Sequence, residues 1–155
     1  EYAGAVLSGD GSDNVGTMTS DNTGSSSDSM NYYEWSSSAL TLNDYDVRVR
    51  FKLPSDFNGW GSGGITLNLA TESTSDTNNK VDAYVYLEGS ATVDGSATAQ
   101  VSSSAGVWTT ATIAGTDLDE CDAAGETCVI ILRMSSLGDN YVRIGDIDII
   151  YNRSL

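Results

Sequence analysis

Carboxylates, aromatic rings and two thiols carry whatever chemistry this chain can do, because its 155 residues include no histidine. That absence excludes Ser-His and Cys-His nucleophilic catalysis, imidazole metal sites and an imidazole pH switch. Hydrolysis by paired carboxylates needs only two acids at the right separation, and 22 Asp and Glu residues offer many pairs without singling one out. Glu34, between Tyr33 and Trp35, alone has the aromatic setting that raises a carboxyl pKa. On an alternating strand it reads far more readily as an ordinary outward residue. The sequence therefore reads as a non-enzyme.

Calcium takes several oxygen ligands from a turn-rich segment, and two segments offer them. Asp10, Asp13 and Asn14 lie in a Gly/Asp/Ser run that lacks the EF-hand spacing and its closing glutamate. Asp117, Asp119 and Glu120 form a denser cluster beside Cys121. Asp and Asn in turns also bond their own backbone with no metal, so no cofactor is required and calcium is the candidate ion. Flat aromatic faces could instead stack on sugar rings. Tyr84 and Tyr86 fall on the polar parity of their segment, and Trp60 lies in the glycine-rich run 57–61; Tyr32, Trp35 and Trp108 are further candidates. The same residues also serve as core fillers and as ordinary strand formers.

Cys121 and Cys128 enclose a short loop, a spacing that suits a disulfide, and two thiols cannot make a four-thiolate zinc site. Paired cysteines in an acidic, Lys-poor chain point outside the cytoplasm, with two reduced cytosolic thiols as the alternative. The formal charge is -15, which repels phosphate backbones and anionic membrane surfaces. No window approaches the roughly 18 apolar residues of a spanning helix. The start carries no basic n-region, and removal of a leader is expected.

The elements that must position these groups are strands. No stretch sustains a 3.6-residue apolar period, whereas several alternate with period two. In 45–53, Tyr45, Val47, Val49, Phe51 and Leu53 share one face and Asp46, Arg48, Arg50 and Lys52 the other. Pro54 ends that ladder, 55–64 reads as a loop around Trp60, and 65–69, 81–87, 97–101, 107–113 and 128–134 continue the strands. The phase changes at Gly145, between Ile144 and Ile147, which predicts a β-bulge there, glycine being favoured because it tolerates positive φ. Arg48, Arg50 and Lys52 form a basic stripe, placed either to pair with Asp82 and Glu88 on a neighbouring strand or to meet an acidic face of another copy. Nine or ten strands in one domain-sized chain predict an all-β, antiparallel two-sheet β-sandwich of jelly-roll type.

The N-terminus differs in texture. Tyr2, Ala5, Val6 and Leu7 belong to a compact apolar run followed by a hinge-like segment, so residues 1–14 form a strand and hinge attached to a sandwich of 15–155. Such an arm either opens its own sheet or completes the sheet of the next subunit, and head-to-tail repetition of that contact grows a filament.

Residues 31–35, 44–54 and 143–147 together resemble secreted jelly-roll domains of bacterial surface and fibre proteins, a likeness spanning residues 1–151. The resemblance implies an exported sandwich in a fibre or surface layer and supplies no ligand site. The expectation drawn is an extracellular filament or cell-surface subunit, a homo-polymer joined by β-strand complementation. The alternative is a jelly-roll carbohydrate-binding module with a glycan partner, and a weaker one is a virion or phage fibre domain. Nucleic acid and a membrane span are not expected.

Overall fold

The computed structural model describes residues 5–8, 15–23 and 30–154. Its strands are β1 (Ala5–Ser8), β2 (Thr17–Asn22), β3 (Asn31–Ser36), β4 (Asn43–Lys52), β5 (Phe57–Thr71), β6 (Asn79–Leu87), β7 (Gly95–Gln100), β8 (Thr109–Ile113), β9 (Thr127–Ser136) and β10 (Tyr141–Arg153). A single 3-10 turn, Gly115–Asp117, is the one helical element among the described residues. The strands form two antiparallel five-stranded sheets, sheet I in the order β1-β4-β9-β6-β7 and sheet II in the order β2-β3-β10-β5-β8. This is the β-sandwich expected from the alternation.

Parity decides which residues meet between the layers. From sheet I come Val47, Ile130, Leu132, Met134, Val81, Ala83 and Val85; from sheet II come Trp35, Ile65, Leu67, Leu69, Ala111, Ile113, Val142 and Ile144, all buried in one cluster. At about 25 cal/mol per Å² of apolar surface removed from water, each large side chain here contributes roughly 1.5 to 3 kcal/mol. Trp35 fills this core, and its indole N-H donates to the Asn43 carbonyl at 2.8 Å. A second cluster of Leu53, Phe57, Cys121 and Cys128 closes one end. Cys121 and Cys128 are joined as a disulfide, with Cα atoms 6.2 Å apart.

Two expectations are corrected here. Residues 57–64 are not a loop: β5 runs unbroken from Phe57 to Thr71. The glycines that hid it admit neighbours, since a Cβ on Gly61 or Gly63 would strike Ile150 of β10, and Gly64, at φ +54°, sits against the Ile113 carbonyl. The N-terminal strand, in turn, is paired within its own chain, Ala5 to Val49 and Leu7 to Val47, at the edge of sheet I.

The bulge at Gly145 is present as a register shift, Ile144 opposite Leu69 and Ile147 opposite Leu67. Its cause differs from the one expected. Gly145 is absent from the positive-φ glycines; a Cβ there would instead collide with the thioether of Met30. Gly145→Ala is accordingly expected to cost about 1 kcal/mol or less, because the flexible Met30 side chain can move aside, read as a slightly lower urea midpoint at unchanged m-value.

Candidate functional site on the outer face of sheet I

Space between the sheets is lined by aliphatic side chains such as Ile65, Leu67, Ala83, Ile130 and Leu132. It offers no polar group for chemistry, which directs attention to the outer faces. On sheet I the pairing register arranges the outward residues in rows across β4, β9 and β6: Asp46, Arg133 and Asp82; then Arg48, Ile131 and Tyr84; then Arg50, Val129 and Tyr86. Ile131 and Val129 make an apolar floor on the central strand, with the two tyrosines on one side and the two arginines on the other. All four of Tyr84, Tyr86, Ile131 and Val129 are half-buried.

The first row is an ion network sunk into this face. Asp46 belongs to the outward parity yet is 1% exposed, and Asp82 is 5% exposed. Arg133 Nε lies 3.1 Å from Asp46 Oδ1 and 3.0 Å from Asp44 Oδ2. The hydrogen bond with Asp46 keeps the Arg133 guanidinium above its ordinary pKa, against partial burial. Asp82 is fixed from two sides: Oδ1 accepts the Ala99 N-H at 2.6 Å, and Oδ2 meets Lys80 Nζ at 3.2 Å. Ala99 holds the left-handed φ of 54° at the irregular end of the β6/β7 ladder, a strained conformation that persists only where surroundings enforce it. The other oxygen of Asp46, Oδ2, is buried with no hydrogen-bond donor. A buried acceptor left without a donor costs about 1 to 3 kcal/mol; the nearest cation to this oxygen is Arg48 Nη2, at 3.8 Å.

Tyr84 stands beside the network. Burial, and secondarily the negative charge of Asp82, raise its phenol pKa above 10. The folded state thus keeps the proton more tightly than the unfolded chain, so this contribution is complete below pH 10 and lost as pH rises beyond it.

The other sequence-derived candidates lie elsewhere. Trp60 is on β5 in sheet II, not beside Tyr84 and Tyr86. Its ring meets Phe57 edge-on at 5.4 Å and its N-H donates to the Cys121 carbonyl at 2.8 Å, which ties the disulfide loop to the sandwich. Glu34 lies on the outer face of sheet II, where its carboxylate accepts Arg143 Nε at 2.6 Å. The Arg143 guanidinium lies over the rings of Tyr32 and Tyr141, and Tyr32 in turn packs on Trp108 at 5.8 Å. That cluster satisfies itself. The basic stripe follows its internal explanation in part: Arg50 makes a bidentate pair with Glu88 at 2.7 and 2.8 Å.

Asp117, Asp119 and Glu120 do not converge. Among the described residues no group of three or more acids or thiols is gathered as for a metal. The backbone here has the opposite polarity: Asp94 Oδ1 accepts the N-H groups of Asp119 and Glu120 at 2.9 and 2.8 Å, and Oδ2 accepts that of Cys121 at 2.9 Å. Glu126 does the same for Asp122 and Ala123. Amide donors converging on a carboxylate form an anion cradle. Asp94 carried no sequence signal, being a lone acid in a turn-rich stretch. Tyr2, Asp10, Asp13 and Asn14 lie outside the described residues; Ala5, Val6 and Leu7 are known only as the β1 backbone.

Two expectations follow. Asp94→Ala should lower stability by about 2 to 3 kcal/mol, because three amide donors lose a charged acceptor at once, a loss read by chemical denaturation. Stability of the wild type should fall as pH rises above 10 more steeply than that of Tyr84→Phe, which lacks the titrating phenol; equal slopes would remove Tyr84 as the source.

No family model matches the chain, and no curated protein sequence does. Solved structures do. One, from a study titled as the structural basis for promiscuous specificity of carbohydrate-binding modules from the β-sandwich superfamily, aligns at a TM-score of 0.56 and 13% identity over 97% of this chain. The chain spans 57% of the length of that structure. Another, TmCBM61 in complex with β-1,4-galactotriose, aligns at 0.57 and 11% identity over 98% of this chain and 91% of the other. At these identities the likeness establishes the jelly-roll sandwich fold. The filament expectation is overturned: β1 pairs in its own sheet, and the fold's neighbours are carbohydrate-binding modules rather than polymerising or virion subunits.

Proposed function

We propose that the chain is an exported carbohydrate-binding module that holds a glycan on the outer face of sheet I. The observation carrying this reading is the composition of that face: two tyrosines beside an Ile131/Val129 floor, with Arg48 and Arg50 across it and Arg133 at its end. Sugar rings have apolar C-H faces and hydroxyl rims. Tyr84 and Tyr86 offer rigid rings with few rotatable bonds to the first, while the part-exposed Arg133 guanidinium offers donors and the phenol oxygens offer acceptors to the second. The register sets the spacing, since Tyr84 and Tyr86 are two residues apart on one strand, about 6.7 Å at strand rise. Two adjacent rings of one chain can therefore be engaged. Preorganisation favours binding, because Asp82 and Arg133 are already fixed by partners within the fold.

Fold neighbours that are themselves carbohydrate-binding modules support the reading, as do the disulfide and the acidic surface for an extracellular site of action. No helix of the described residues is long and apolar enough to cross a membrane. In this reading the chain binds and does not turn over substrate, and it needs no ion.

A glycan array followed by calorimetry on the hits tests it. Tyr84→Ala and Tyr86→Ala should each weaken binding about tenfold or more, equivalent to about 1.4 kcal/mol, with unchanged circular dichroism. A folded wild type that binds no glycan, or a hit indifferent to both tyrosines, would overturn it.

A further inference from the structure

We infer that the glycan this face selects carries carboxylates: a hexuronate chain, whose acid groups are received by Arg48 and Lys52. The inference rests on the carbohydrate-binding reading and names its ligand class. The chain has only seven cationic side chains against 22 acids. Five of them, Arg48, Arg50, Lys52, Lys80 and Arg133, stand on the outward parity of sheet I, against the four carboxylates of Asp44, Asp46, Asp82 and Glu88 that share or flank it. Among the described residues, cations are thus concentrated on the one face that also has Tyr84 and Tyr86. At physiological ionic strength charges farther away than about 8 Å are largely screened, so a bound sugar meets this face rather than the total of -15.

Not all five are equally committed. Glu88 takes Arg50 in a bidentate pair, Asp82 takes Lys80, and Asp44 with Asp46 takes Arg133. That exhausts the carboxylates. Arg48 is left with Asp46 Oδ2 at 3.8 Å, beyond hydrogen-bond range, and its side chain is 46% exposed. Lys52 is exposed, with no ion pair among the described residues. Arg48 lies across Ile131 from Tyr84, two inter-strand steps or about 10 Å away, so a sugar resting between them can turn a carboxylate toward the guanidinium while its ring contacts the phenol. A planar guanidinium matches a carboxylate through two parallel hydrogen bonds. Lys52 is four residues farther along the same face of β4, about 13 Å, where it meets an acid on a later ring of the same chain.

Calorimetry on the full chain at 0.15 M salt, with galacturonate, glucuronate and mannuronate oligomers and their carboxyl-reduced neutral counterparts, tests the inference. At least one acidic oligomer should bind about tenfold tighter than its reduced form. Arg48→Gln combined with Lys52→Gln should erase that preference while keeping the neutral affinity, with circular dichroism showing that the fold is retained. Reduced oligomers binding as well as acidic ones, or a preference surviving in the double variant, would overturn it. If neutral glycans bind through Tyr84 and uronates do not, this inference falls and the carbohydrate-binding reading stands. Absence of any glycan binding sinks both.

Discussion

Two five-stranded sheets stay face to face only if every second residue of every central strand is apolar, and this parity constraint governs the rest of the protein. A slip of one residue would move a whole set of side chains to the other surface. In β4 the inward Tyr45, Val47, Val49 and Phe51 hold the strand against sheet II, and that fixes Asp46, Arg48, Arg50 and Lys52 to the outside. The same holds for Val81, Ala83 and Val85 against Tyr84 and Tyr86. The outer face of sheet I is therefore the obligatory reverse of the core, and its rows have the rigidity of the ladder beneath them.

The ion network on that face is costly to keep. Removing Asp46 and Asp82 from water carries a desolvation penalty that only good geometry and full hydrogen bonding repay. Arg133 and the Ala99 amide supply most of it, and one oxygen is left without a donor. Elsewhere the chain satisfies its buried groups thoroughly: Asp94 closes three amides, the Trp60 and Trp35 N-H groups each reach a carbonyl, and Thr71 exchanges bonds with Ser102. An incomplete acceptor stands out against that background.

Much of the architecture was legible along the chain. Alternation identified β4, β6, β9 and the phase change at Gly145, because strands with one wet face write their parity into the sequence. Tyr84 and Tyr86 were legible as outward rings for the same reason. The 57–64 stretch was not: Gly59, Gly61, Gly63 and Gly64 look like loop residues, and only the positive φ of Gly59 and the proximity of Ile150 and Ile113 to the other three explain their presence in a strand. Trp60 was assigned to the wrong surface in consequence. The amides after Asp117 that converge on Asp94 were not legible either, since composition shows carboxylates but not the direction of the backbone N-H groups.

The sequence by itself determined the secondary structure class, the inward and outward partition of most strands and the pairing of its two thiols, because these depend on local period and short separations. Tertiary structure decided what stands beside what: Arg133 between Asp46 and Asp82, Arg48 across from Tyr84, β1 against its own β4. Those neighbours are 36 to 87 residues apart in the chain, and strand order, which no local pattern encodes, brings them together.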